Sequence, residues 1–152
     1  MSSPARTRRL EAEYNNLGAA FGNHPNIDIR AIGDAPLVDH YMIVYRVPAL
    51  RQNSTGQPMA VRETVVEIML PEGYPKFQPV CRTVPGDVIF HPNFNAEKIC
   101  IADSWEPSRG LVEIVLQIGD MLQWKIFNIQ APLNAIAAEW SQNHLDEIPL
   151  GN

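Results

Sequence analysis

The sequence has few cysteines and no excess of positive charge, and both shortages exclude classes of protein. Its 152 residues include two cysteines, Cys81 and Cys100, so neither a disulfide framework nor a zinc site of cysteines and histidines is predicted. The 12 basic residues stand against 17 acidic ones, a formal net charge of −5. Because phosphate binding needs a basic face, nucleic acid is not predicted as the main partner.

Long apolar runs are also missing. No stretch approaches the roughly 18 uncharged apolar residues of a membrane helix, and the N-terminal MSSPARTRRLEAEY has no apolar run of the kind that a signal peptide needs. We therefore expect a cytoplasmic protein without metal or cofactor. The 45% of hydrophobic residues suffices for one domain, predicted at 1–152 with its core at about 4–144 and a loose tail at 145–152.

The hydrophobic pattern predicts an α+β fold. Apolar residues at helical spacing indicate an N-terminal helix over about residues 4–22. Three strands between residues 26 and 70 and a fourth at 80–84, rich in β-branched and aromatic residues, form a four-stranded antiparallel meander. A long central helix is predicted from position 111 to about 127, and a short C-terminal helix at about 132–144.

A proline-dense connector at residues 71–79 joins the third and fourth strands. Its prolines exclude a helix or a central strand, so it is predicted to be extended and rigid. Tyr74 and Phe77 are expected to pin it to the core. Cys81 follows in an alternating pattern, which predicts a packed core thiol.

Between the strands and the central helix lies the ten-residue segment HPNFNAEKIC, residues 91–100. It combines a turn, an amide side chain and a thiol, and such a segment between two structured halves is a common place for chemistry. Cys100 is therefore either a nucleophile or a buried small residue. Ser104 or Ser108 is predicted to cap the helix that follows.

The order of motifs around this segment resembles the ubiquitin-conjugating enzyme family. The chain carries Tyr-Pro-Lys-Phe-Gln-Pro at 74–79, His-Pro-Asn at 91–93, a cysteine between two isoleucines at Cys100 and Trp-Glu-Pro at 105–107. The family reads Tyr-Pro-x-x-Pro-Pro, His-Pro-Asn, the active cysteine and Trp-x-Pro in that order. The Pro-Leu-Asn that begins residues 132–140 resembles the family's segment after the central helix. Each motif alone is weak, but the combination is specific.

The resemblance implies a transferase. Its cysteine, Cys100, would receive ubiquitin or a ubiquitin-like protein from an activating enzyme as a thioester and pass it to a lysine of a target protein, with or without a ligase. Asn93 would support the loop or stabilise the oxyanion, and His91 would brace the turn. A catalytically idle interaction module of the same fold is the alternative, and a hydrolase built on Cys100 and His91 is a third reading.

Two groups of residues are expected to contact partners or to scaffold the loop. The activating enzyme is expected to meet the basic start of the first helix, at Arg6, Arg8 and Arg9. The loop scaffold or the ligase side is expected at Tyr74, Phe77, Trp105 and Pro107. Lys98, two residues before the cysteine, is either a solvated charge or a cation that favours the thiolate or accepts the modifier itself.

The sequence departs from the family in spacing. Cys100 follows Asn93 by seven positions, one fewer than is common, and Trp105 follows Cys100 by five, several fewer than is common. A chain this compact resembles the divergent bacterial members found in ubiquitin-like conjugation operons, some of which serve antiviral defence.

Ala131 marks a chemical departure. The family commonly has an aspartate or serine just before the Pro-Leu pair, where it orients or deprotonates the incoming lysine. Alanine has neither capacity. Asp103, as a gate carboxylate, or Asn128 is predicted to substitute for it.

Overall fold

A computed structural model describes residues 3–151, so residues 1, 2 and 152 of the predicted domain lie outside the described residues. The predicted α+β class is confirmed. In chain order the elements are α1 (Pro4–Phe21), β1 (Ile27–Ala31), β2 (His40–Tyr45), β3 (Ala49–Gln52), β4 (Pro58–Val61), β5 (Thr64–Met69), β6 (Val80–Thr83), α2 (Leu111–Leu122) and α3 (Ala135–Gln142), followed by a 3₁₀ turn at Leu145–Glu147.

The four predicted strands form one antiparallel sheet in the order β1-β2-β5-β6. Residues of β5 alternate between buried and half-buried positions, as expected of a strand with one face on the core. The segment between β2 and β5 contains a second, two-stranded sheet of β3 and β4. This smaller sheet contacts the segment just before His91 through a β-bridge between Arg51 and Ile89.

The helix α1 begins and ends as its sequence predicts. The Ser3 hydroxyl accepts a hydrogen bond from the Arg6 backbone N–H at 3.1 Å, and Pro4 occupies the first helical position, where its missing N–H costs nothing. Leu10, Leu17 and Phe21 form the buried stripe. The helix therefore packs on the core through one face.

The helix α2 crosses close to the sheet. The hydroxyl of Tyr45 on β2 donates to the Val115 carbonyl of α2 at 2.7 Å. A Cβ added at Gly119 would lie 3.3 Å from the Tyr45 ring, so glycine lets the ring approach the helix. Sheet and α2 thus form one core beneath the loop that carries the thiol.

The N-terminus of α2 is capped from α1. Its N-cap is Gly110, which offers no side chain, so the predicted caps at Ser104 and Ser108 are wrong. Instead the Leu111 N–H donates to the buried carboxylate of Glu13 at 2.9 Å. An acidic group is favourable at this end of a helix because unpaired N–H groups and the helix dipole meet there.

The helix α2 ends five residues earlier than predicted. Trp124 adopts a φ of 59°, and a residue in this left-handed region stops a helix. The predicted loose tail is also wrong for residues 145–151. The Leu150 N–H donates to the Gln123 carbonyl at 2.8 Å, and Ile148 and Leu150 pack against a second core cluster that contains Trp124. No helix within residues 3–151 is long and apolar enough to cross a membrane.

Candidate active site

The thiol loop, residues 91–100, begins with a buried histidine whose two ring nitrogens are both used. Nδ1 of His91 accepts the Asn93 backbone N–H at 3.0 Å. Nε2 lies 3.1 Å from the Ile126 carbonyl, and since a carbonyl can only accept, Nε2 carries the proton. These two contacts define one neutral tautomer and tie the start of the loop to the segment after α2.

Burial keeps His91 neutral. Loss of solvation lowers the pKa of His91 to about 4, against a smaller opposing effect of its bond to Ile126. The ring also packs edge-on against Phe94 and lies 5.0 Å from the Trp124 ring. The predicted role of His91 as a brace of the turn fits these contacts, whereas a general base needs a nitrogen that can take up a proton.

Asn93 is bound at both ends of its amide to one residue. Its Nδ2 donates to the Asn128 carbonyl at 2.8 Å, and its Oδ1 accepts the Asn128 N–H at 2.9 Å. This pair fixes the orientation of the amide. The second N–H of Nδ2 has no protein acceptor within residues 3–151.

The remainder of the loop is a tight hairpin that presents Cys100. Asn95 accepts the N–H groups of Glu97 and Lys98 with its side chain, at 2.8 Å each, which is a turn that asparagine favours. The Cys100 N–H donates to the Asn93 carbonyl at 2.9 Å. Lys98 is exposed, as its reading as a solvated charge requires.

Cys100 is half-buried and opens into a cleft of about 250 Å³. Its Sγ lies 3.8 Å from the Ala102 carbonyl, a weak contact for a thiol. The cleft brings the thiol together with the predicted amide and the predicted substitutes for the missing gate acid. It is lined by Asn93, Cys100, Ile101, Ala102, Asp103, Gln117, Met121, Ile126, Phe127, Asn128 and Ala131.

The second cysteine has the opposite environment. Cys81 on β6 is buried, and loss of solvation raises its pKa to about 12. Its backbone carbonyl accepts the Ile99 N–H at 2.8 Å. The prediction of a packed core thiol is confirmed, so Cys81 supports the loop with its backbone and not with its sulfur.

One carboxylate, that of Asp103, is among the residues that line the cleft. Ala131 and Asp103 are both exposed, and both line the cleft. The Asn128 Oδ1 accepts the Gln130 N–H at 2.9 Å, so this oxygen already has a partner. Asp103 is therefore the acidic group that lines the cleft together with Ala131.

The proline-dense connector is held by Tyr74 and Trp105. The Tyr74 hydroxyl donates to the buried Glu13 carboxylate at 2.6 Å, and the Trp105 Nε1–H donates to the Pro75 carbonyl at 2.7 Å. Phe77 differs, because its side chain is 60% exposed. The prediction that Phe77 pins the connector to the core is therefore wrong, and Phe77 belongs to the surface.

The three arginines predicted to meet an activating enzyme have different surroundings. Arg6 is buried and donates to the Pro71 carbonyl at 3.1 Å. Arg9 donates to the Pro107 carbonyl at 2.6 Å. Arg8 is exposed. Arg6 and Arg9 thus bind loops of this chain. Of the three arginines predicted to contact an activating enzyme, Arg8 is the one whose side chain is exposed.

Sequence reasoning missed the aromatic cluster beneath the loop. Trp124 and Trp140 lie 5.4 Å apart, and the Trp124 Nε1–H donates to the Phe90 carbonyl, the residue before His91. The sequence after α2 is hardly richer in aromatic residues than the rest of the chain, so it carried no signal for this cluster. Within residues 3–151 no group of three potential ligand side chains is arranged to hold a metal ion.

The fold resembles that of a ubiquitin-conjugating enzyme. The structure of human ubiquitin-conjugating enzyme E2 G1 matches it with a TM-score of 0.59 at 17% sequence identity, over 80% of this chain and 98% of that chain. At this identity the likeness establishes a shared fold alone. No model of a protein family matches the sequence, and a search of curated proteins found no match.

Proposed function

We propose that this chain is a ubiquitin-like protein conjugating enzyme. It accepts a ubiquitin or ubiquitin-like protein from an activating enzyme as a thioester on Cys100 and transfers it to an amine of a target protein. One observation carries the proposal: the half-buried thiol of Cys100 opens into a cleft that also holds the Asn93 amide, within a fold shared with a ubiquitin-conjugating enzyme.

Loading is an exchange of thioesters. The Cys100 thiolate attacks the C-terminal carbonyl carbon of the modifier, a new C–S bond forms, and the thiolate of the activating enzyme leaves. The acyl group arrives already activated, so the step needs access more than a strong base. The position of Cys100 at the cleft, with its N–H bound to the Asn93 carbonyl, supplies that access on a rigid backbone.

Transfer makes an oxyanion. A target amine attacks the thioester carbonyl, the tetrahedral intermediate collapses, the C–S bond breaks and Cys100 leaves as a thiolate. The available N–H of Asn93 is suited to stabilise the oxyanion, and loss of one such donor costs about 3 kcal/mol in other enzymes. The Asp103 carboxylate is suited to orient the amine and accept its proton. Ala131 does neither.

The hypothesis of a Cys–His hydrolase lacks a general base, because His91 cannot serve as one. A Cys–His hydrolase needs an imidazole nitrogen directed at the thiol. Both nitrogens of His91 bind backbone groups, and burial lowers the pKa of His91 to about 4. The idle-module reading remains the second candidate, because a shared fold does not require activity.

A reconstituted reaction tests the proposal. The protein is incubated with ATP and a panel of ubiquitin-like proteins, each with its activating enzyme. We expect one modifier to give an adduct that reductant removes, that Cys100→Ala abolishes and that the matched variant Cys81→Ala retains. An adduct that survives Cys100→Ala refutes the assignment of the site. Absence of any adduct, with Cys100 still open to alkylation, supports the idle module.

The domain extent, the location, the partner contacts and the origin of the protein are proposed together with the activity. We propose one catalytic domain over residues 1–152, a cytoplasmic location, Arg8 as a contact for the activating enzyme, and a ligase side near Phe77, Trp105 and Pro107. We also propose an origin in a bacterial conjugation operon that serves antiviral defence. Adjacent genes for an activating enzyme and a ubiquitin-like protein would support that origin, and their absence would remove it.

A further inference from the structure

The residue directly after Cys100 is held by two side chains from beyond the loop. The Ile101 carbonyl accepts Arg109 Nη1–H at 3.2 Å and Gln117 Nε2–H at 2.9 Å. Arg109 lies just before α2, and Gln117 lies on α2 and lines the cleft. One carbonyl oxygen thus uses both of its lone pairs to bind the loop to the helix.

The two side chains also orient each other. Arg109 Nη2–H donates to Gln117 Oε1. Because a guanidinium can only donate, this contact directs the Gln117 oxygen toward Arg109 and its NH₂ group toward Ile101. Arg109 is held from a third side, since its Nε lies 3.1 Å from the exposed Glu113 carboxylate.

The backbone on the other side of the thiol is fixed as well. The Cys100 N–H donates to the Asn93 carbonyl at 2.9 Å, while the Ile101 carbonyl is bound to α2. Between these two anchors the Cys100 side chain retains little freedom beyond rotation about its own Cα–Cβ bond. The short path from Cys100 to Trp105 leaves few residues that could hold the loop by other contacts.

We propose that Arg109 and Gln117 are positioning residues for Cys100. By holding the Ile101 carbonyl they fix the backbone from which the Cys100 side chain projects at the cleft, so that the thioester carbonyl lies beside Asn93. The inference rests on the proposed function for its effect on transfer. Its effect on the geometry of the thiol does not depend on that function. A displacement of about 1 Å at a reacting atom can cost about 100-fold in rate.

Two variants remove the contacts, one controls for charge, and one restores a donor. Gln117→Leu keeps the approximate size of the side chain and removes both its donor and its acceptor, and Arg109→Met removes the guanidinium. Glu113→Gln breaks the exposed ion pair of Arg109 and leaves both bonds to Ile101 in place. Arg109→Lys restores one possible donor.

The first measurement is the rate at which iodoacetamide alkylates Cys100, followed by mass spectrometry. We expect Gln117→Leu and Arg109→Met to raise this rate about fivefold, since one hydrogen bond holds a loop by a factor of that order. Glu113→Gln should leave the rate unchanged, and Arg109→Lys should restore part of the original rate. Equal rates in Gln117→Leu and the unaltered protein would overturn the proposal.

The second measurement is the discharge of a preformed Cys100 thioester to lysine. We expect Gln117→Leu to slow discharge about 10- to 100-fold, with a thermal midpoint close to that of Glu113→Gln. If the discharge rates of the variants simply follow their thermal midpoints, Gln117 has a merely structural role and the proposal is overturned. If the unaltered protein forms no thioester, the proposed function fails, and the alkylation rate still decides whether the pair positions the thiol. If Arg109→Met does not fold, Gln117→Leu decides alone.

Discussion

The tripeptide His-Pro-Asn occurs twice in this chain, at residues 24–26 and at residues 91–93. Both copies make the same local hydrogen bond, in which the asparagine backbone N–H donates to Nδ1 of the histidine at 3.0 Å. Residues 24–26 are exposed after α1, whereas residues 91–93 are buried beside the cleft. The tripeptide therefore determines a turn, and its surroundings determine whether the turn belongs to a site.

The two turns differ in what binds the groups that the local hydrogen bond does not use, namely Nε2 of the histidine and the amide of the asparagine. Nε2 of His91 is bound to Ile126, and the Asn93 amide is bound to Asn128, so the second copy joins two segments distant in sequence. His24 instead accepts a second backbone N–H, from Ile27 at 3.1 Å. The buried copy belongs to the candidate site because its histidine and asparagine side chains bind the segment after α2, which the exposed copy does not do within residues 3–151.

The largest difference between the two turns is expected in stability. His91→Ala removes two hydrogen bonds and a buried ring, so we expect the free energy of unfolding to fall by about 3 kcal/mol or more. Urea unfolding measures it. If the variant is unfolded without urea, His91→Gln replaces it. A loss below about 1 kcal/mol would mean that the buried turn is not a brace.

The second difference concerns the pH dependence of the free energy of unfolding. Burial lowers the pKa of His91 from 6.5 in the unfolded chain to about 4 in the folded state, so acidification favours unfolding. The stabilising contribution is present above 6.5 and is lost as the pH falls through 4, at a cost of up to about 3 kcal/mol. His91→Gln should flatten this part of the pH profile. Ile114→Val, which shortens a buried side chain of α2, is the destabilised control and should keep it. An unchanged slope in His91→Gln contradicts the assignment.

The third difference separates the two asparagines in catalysis. Asn93→Ala should slow discharge of the Cys100 thioester to lysine about 100-fold, because it removes the donor for the oxyanion. Loading should change less. Asn26→Ala, the matched control, should alter either rate by less than about twofold, as is usual for an exposed residue away from the site. Equal loss of loading and discharge in Asn93→Ala would leave only a structural role.

The smallest expected effect is that of His24→Ala. The variant loses one acceptor shared by the N–H groups of Asn26 and Ile27, and both groups can bind water instead. We expect a loss of about 1 kcal/mol, similar to that of a helix cap. A loss as large as that of His91→Ala in urea unfolding would mean that the tripeptide, rather than its surroundings, carries the stability.

The order of the main elements and part of the cleft could be predicted from sequence, because both leave local marks. Alternation gives β5, and a helical stripe gives α2. The residues predicted around Cys100, including Asn93 and Asp103, do line one cleft with it. Their catalytic roles remain predictions, because the shared fold with a ubiquitin-conjugating enzyme does not test them.

Contacts between distant segments could not be predicted in this way. The charges of Arg6 and Arg9 suggested an outward face, yet their guanidiniums bind carbonyls of loops more than 60 residues away in sequence. Gln117 gave no signal, because a polar residue within a buried stripe indicates only the edge of the stripe. The end of α2 was also hidden, since the left-handed conformation of Trp124 is unusual for a bulky residue.

The position of Trp124 gives the candidate site an optical reporter of its own. Its indole is buried, donates to the Phe90 carbonyl and lies 5.0 Å from His91. Because indole emission responds to a protonated imidazole nearby and to entry of water, the fluorescence of Trp124 is expected to change when His91 is protonated or when the cluster is exposed by unfolding. In a chain with Trp105 and Trp140 replaced by phenylalanine, that change would come from Trp124 alone.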